Sequence, residues 1–201
     1  MVRPVFVLLV AINLAIGLYF GAMQVSVTAF TVELGRADAA APLFAVSSIF
    51  GLLGGWLYGL RRCHRAPRVQ LARVTSGLAV ACALLLLTAN SPSRLGLGLA
   101  VTGLAVPPIL VLYSVLTESE VERSVLTQAF TWLNSASAAG SAAAAAIAGW
   151  AVDSSGAYAG FAIVTSAAAL MAVVAVIGSR EHASEVQRGP SVDPPDRTAG
   201  D

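Results

Sequence analysis

Six apolar stretches follow one another between residues 4 and 179, at 4–32, 42–60, 69–90, 95–117, 125–152 and 158–178, with only short polar breaks between them. A hydrocarbon core roughly 30 Å thick needs about 20 residues of α-helix, so every stretch is near or above the length of a membrane crossing. A soluble reading fails on charge. Water-soluble domains carry about a quarter charged residues, whereas this chain has 11% and a mean hydropathy of +0.77. The stretches also lack the ten-residue alternation of an outer-membrane barrel, which leaves helices that satisfy their own backbone hydrogen bonds. The expected fold is all-α: a polytopic bundle of six transmembrane helices over residues 1–179. The tail 180–201, with three prolines, two glycines and no large apolar cluster, reads as a disordered cytoplasmic segment.

Charge sets the expected orientation. All 12 basic residues are arginine, and six crossings put both termini on the same side as the second and fourth connections. That side holds Arg3, then Arg61, Arg62, Arg65, Arg68 and Arg73, then Arg123, and finally Arg180, Arg188 and Arg197. Only Arg36 and Arg94 fall on the other. The positive-inside tendency makes the arginine-rich side cytoplasmic and the chain a multi-pass protein of the cell membrane. The first apolar run is about twice the length of a signal-peptide core and has no clear small-residue cleavage site, so it is expected to stay as a helix.

Within the spans, the polar and small residues are unevenly distributed. On the first helix Asn13, Gly17, Phe20, Gly21, Gln24, Thr28 and Thr31 share one side at 100° per residue. Polar groups at membrane depth avoid lipid, so Asn13, Gln24 and Thr28 are candidates either for solute contact or for hydrogen bonds between helices. On the second helix Ser47, Gly51, Gly55 and Gly59 recur every four residues, a spacing that admits close helix packing. The fourth helix carries Pro107 and Pro108, which remove N–H donors and are expected to bend it, with Tyr113 beyond them as a solute contact or an interfacial anchor. The fifth offers two faces, one with Gln128 and Trp132, the other with Thr131 and Asn134, of which one should line a cavity. The third and sixth are almost uniformly apolar and read as lipid-facing, leaving the first, second, fourth and fifth as the inner set.

Some chemistry has no residues to carry it. No Asp, Glu, Arg or His sits mid-span, and no nucleophile is paired with a base at membrane depth, so neither an enzyme nor a buried proton relay is expected. Glu118, Glu120 and Glu122 beside Arg123 read as solvated loop charges with gating as the alternative. Cys63 and His64 share a loop, Cys82 lies in a span and His182 stands alone, so no disulfide, metal site or other cofactor is expected. There is no phosphate-binding G-x-x-x-x-G-K-[ST] sequence, and nothing points to nucleic acid as a partner.

Residues 126–156, LTQAFTWLNSASAAGSAAAAAIAGWAVDSSG, carry threonine, tryptophan and spaced small residues and close on Gly149, Asp153 and Gly156. Residues 51–62, GLLGGWLYGLRR, lead a glycine-rich helix into the basic pair Arg61 and Arg62. Together these pieces resemble the second six-helix half of major facilitator superfamily transporters of the drug-efflux and sugar-efflux kinds. No aspartate precedes Arg61, which departs from the pattern. The resemblance implies a solute held between two six-helix halves with access alternating by rocking. It also implies a partner for this chain besides the lipid bilayer and the small-molecule solute: a missing N-terminal half, encoded in frame or separately, or a second copy of itself. The rival expectation is a non-transporting membrane scaffold or assembly partner whose glycine faces serve packing alone.

Overall fold

The computed structural model describes residues 4–60, 66–88 and 91–187. Among them are six long helices and no strand: α1 (Pro4–Glu33), α2 (Ala40–Leu60), α3 (Pro67–Thr88), α4 (Pro92–Glu120), α5 (Leu126–Ser155) and α6 (Ala157–Gln187). Each is long and apolar enough to cross a bilayer, as expected of a multi-pass membrane protein. Most helices outrun the apolar stretches that announce them, because hydropathy marks where lipid gives way to water while the helix continues to its first stop signal. Thus α6 runs to Gln187, nine residues past the expected span end at Gly178, and takes in the first part of the tail. Residues 188–201, with Arg188 and Arg197, lie outside the described residues. So do Arg61, Arg62, Cys63, His64 and Arg65 of the basic loop, and Arg3.

The stop signals are local. α1 ends in a paired closure: Gly35, at φ 65°, donates its N–H to the Val32 carbonyl and Arg36 donates to that of Thr31, satisfying the last orphan carbonyls. A short 3₁₀ turn, Ala37–Ala39, leads directly into α2. Ser91 caps α4 by accepting from the Arg94 N–H, with Pro92 at the first helical position, where its missing donor costs nothing. Gly156, at φ 81°, makes the sharp turn between α5 and α6.

The helices pack in a definite order. α1 lies against α5 and α6, α4 lies against α2 and α3, and α3 lies against α6. Exchanging the first three helices for the last three maps this set of pairings onto itself, so the two triplets are arranged alike; the packing of α5 on α6 is closer than that of its counterparts, α2 and α3. Since three is odd, the second triplet enters the membrane from the side opposite the first.

Burial follows this order. Leu9, Ile12, Ala15, Ala22 and Val27 of α1 are buried with Leu71, Leu78, Cys82 and Leu85 of α3, Leu95, Leu99 and Ile109 of α4, and Phe161, Val164 and Met171 of α6. This corrects the expected inner set: α3 and α6 supply core, while α2 and α5 are the most exposed helices of the chain. A uniformly apolar helix packs against protein as readily as against lipid tails, so its composition does not choose between them.

Charged groups tie helices together at their ends. Glu33, at the end of α1, accepts through Oε1 from the Ala157 N–H at 2.6 Å and so caps the start of α6, where the helix dipole favours a carboxylate. At the opposite ends Arg68 of α3 pairs with Glu120 of α4, and Tyr58 of α2 donates to Gln70 of α3 at 2.9 Å. Glu120 is thus a cross-helix partner rather than a solvated loop charge, while Glu118, Glu122 and Arg123 are exposed. Arg68 is only 12% exposed. Glu120→Ala should therefore destabilise the fold by about 2 kcal/mol by stranding the guanidinium. Adding Arg68→Met should recover most of that loss in an unfolding titration, since an apolar pair needs no partner.

Candidate functional site

Glycine and proline together bring α2 onto α4. Pro107 and Pro108 cannot donate to the carbonyls four residues earlier, those of Gly103 and Leu104. α4 nevertheless continues as helix through the pair. α2 sits on those two carbonyls. An added Cβ on Gly54 would run into the Leu104 carbonyl, and one on Gly51 would lie 3.7 Å from the Gly103 oxygen and 3.8 Å from the Pro107 ring. In return a Cβ on Gly103 would meet the backbone of Ser47. Backbones this close cover the Leu104 carbonyl, leaving room for weak Cα–H···O contacts where the helical donor is missing. Of the four-residue stripe, Ser47, Gly51 and Gly55 face α4, whereas Gly59 meets nothing within 4 Å. The tightest approach, at Gly54, lies off that stripe.

α1 approaches α5 in the same manner. Gly17 and Gly21 form a G-x-x-x-G pair, and a Cβ on either would collide with the backbone of Ser137 or Ser141. Gly140 of α5 meets the Leu14 carbonyl reciprocally. The packing face of α5 is Ala129, Leu133, Gly140, Ala144 and Ala148. It is neither of the two faces marked out by polar residues. Gln128, Thr131, Trp132 and Asn134 are all exposed, Trp132 at 63%.

Between these tight seams α1 and α2 barely touch each other, and a cavity of about 280 Å³ lies among α1, α2 and α4. Its walls are Tyr19, Phe20, Met23 and Gln24 from α1, Phe44, Ser47, Ser48 and Gly51 from α2, and Leu99, Gly103, Val106 and Pro107 from α4. Among the expected site residues, Gln24, Ser47, Gly51 and Pro107 meet here. Thr28 is exposed one turn further along and donates to the Gln24 carbonyl at 2.8 Å.

Asn13 and Tyr113 are not among the cavity's lining residues. They are buried, and the Asn13 amide donates to the Tyr113 hydroxyl at 2.7 Å, a bond joining α1 to α4 across 100 residues of sequence. Of the two roles open to Asn13, the structure supplies the helix-to-helix bond. A double-mutant cycle of Asn13→Leu and Tyr113→Phe should return a coupling of about 1 kcal/mol, in the range of hydrogen bonds between membrane helices.

The buried serine and threonine hydroxyls are satisfied locally: Ser26, Thr31, Thr75, Thr102 and Thr117 bond carbonyls three or four residues back. Among the residues that sequence reasoning missed are Phe44, Ser48 and Met23 in the cavity and Arg68 at the helix ends. The three cavity residues are ordinary members of apolar helices. The signal for Arg68 was its place as a lone cation in the first turn of an apolar helix. No family model, curated protein or solved structure matches the chain.

Proposed function

We propose that this chain moves a small organic solute across the cell membrane by alternating access, as one six-helix half of an efflux-type transporter of the major facilitator kind. The observation that carries the reading is the cavity among α1, α2 and α4, which draws its walls from both helix triplets and contains the amide of Gln24 at membrane depth. Two packed triplets of opposite insertion are the architecture in which a bundle can rock about a central site. The crowding of arginine at the ends joined by the second and fourth connections supports cytoplasmic termini. The broad exposed faces of α2 and α5 support a partner half, either a separate chain or a second copy.

Reconstitution tests the proposal. The chain is placed in liposomes alone, and together with any six-helix chain encoded beside it, and counterflow of labelled solutes is measured. Counterflow that stops on filling the cavity is the expected result. Absence of counterflow in both preparations, from protein that is stable and monodisperse, overturns the reading in favour of a scaffold.

A further inference from the structure

We infer that the cavity among α1, α2 and α4 takes an uncharged, mostly apolar ring compound carrying one or two hydrogen-bonding groups, and rejects sugars and organic ions. This rests on the cavity being the solute site of the transporter proposed above.

Charge argues first. No Asp, Glu, Lys, Arg or His lines the cavity, so an organic cation or anion entering it would shed water without meeting a counter-charge. Shape and surface come next. Phe20 reaches the cavity from α1 and Phe44 from α2, with Met23 and Val106 completing an apolar wall of rings and flexible side chains that suits an aromatic edge or face. At about 280 Å³ the space is just below the roughly 300–1,000 Å³ typical of small-molecule sites, which limits it to a compact compound of two or three rings.

Hydrogen-bonding capacity then separates this class from sugars. The polar side chains on offer are the Gln24 amide and the hydroxyls of Ser47 and Ser48. Ser48 already donates to the Phe44 carbonyl at 2.9 Å, and Tyr19 is buried in the core. A sugar presents a hydroxyl on nearly every carbon, and most would be buried against Phe20, Phe44 and Val106 without a partner. A ring compound with a single N–H or carbonyl leaves nothing unsatisfied.

The test uses the full chain in lipid nanodiscs and N-phenyl-1-naphthylamine, a neutral aromatic amine whose fluorescence rises in apolar sites, with empty nanodiscs as the baseline. Saturable binding of one probe per chain is expected, undisturbed by excess glucose, by tetraphenylphosphonium or by benzoate. Ser48→Phe, which fills the cavity, and Phe44→Ala, which removes a wall, should each weaken binding about tenfold or more. Gly77→Phe on α3, where an added Cβ meets nothing within 4 Å, should leave it unchanged. Should Ser48→Phe fail to fold, Phe44→Ala carries the same reading. Displacement by glucose or by either ion, no saturable signal, or binding indifferent to both cavity variants overturns the inference. Failure of the transport reading looks different: the probe binds and the variants respond, yet counterflow is absent. Counterflow of a sugar that Ser48→Phe blocks would keep transport and sink the ligand class.

Discussion

Leucine at Gly17 or Gly21 should separate α5 from α1 and destabilise the chain by about 3 kcal/mol, the upper end of what overpacking costs. The glycines are not there for flexibility, since both sit inside a regular helix. They are there because the next object is backbone: a Cβ at Gly17 would overlap the Ser137 carbonyl, and one at Gly21 that of Ser141. A side chain can rotate away from an intruder, whereas a helix backbone has to translate bodily. α5 is held mainly by α1, so the displacement removes most of its packing. The matched control is Gly149→Leu on α5, where nothing lies within 4 Å of the added carbon. Unfolding in mixed detergent micelles, followed by circular dichroism, should show early loss for Gly17→Leu and Gly21→Leu and a transition close to the parent's for Gly149→Leu.

The second large effect is expected at Gly54. Apart from the turn that precedes it, a slight touch on α1 and the Tyr58 to Gln70 bond to the start of α3, α2 packs on α4. Gly54→Leu places a branched side chain against the Leu104 carbonyl, again at about 3 kcal/mol of overpacking. The outcome should differ from that at Gly17, because α1, α3, α4, α5 and α6 retain all their mutual contacts. Hydrogen exchange should therefore report loss of protection confined to residues 40–60, with the rest of the chain as in the parent. Since α2 supplies one wall of the cavity, binding of an apolar probe there should fall by more than tenfold in the same variant. Exchange rising evenly along the whole chain would contradict the picture of α2 as a one-sided appendage.

Much of this architecture is legible in the chain's letters, and the part that is not has a physical reason. The bilayer selects for length and greasiness, and both are written locally, so all six helices could be placed from the hydropathy pattern. Helix ends outran the apolar stretches because backbone hydrogen bonding does not stop at the lipid boundary: α4 continues through Glu118 and Glu120 until the chain turns extended at Val121. Helix partners were hidden. In SAAAAAIAGW of α5 small residues occupy every side, so no periodicity singles out Ala144 and Ala148 as the buried pair. On that helix the polar Gln128, Trp132 and Asn134 stand on exposed faces, and an alanine and glycine ridge does the packing. Gln24 was readable because an amide on an apolar helix must find water, a partner or a cavity. The bond from Asn13 to Tyr113 was not, as nothing in either neighbourhood specifies a partner 100 positions away.

The seam between α2 and α4 also bears on how such a sequence can drift. Pro107 and Pro108 leave two carbonyls without helical donors, and α2 covers them at Gly51 and Gly54, of which Gly54 has no room for a side chain. Neither half of that bargain is neutral on its own: enlarging Gly54 while the prolines remain both crowds and uncovers the Leu104 oxygen, whereas restoring an N–H at 108 first removes the need for cover. The cost of a replacement at these sites therefore depends on which of the others has already changed. A lineage that lost the prolines early would leave no oxygen uncovered by enlarging Gly51, whereas Gly54 would stay closed to any side chain for as long as the two backbones touch.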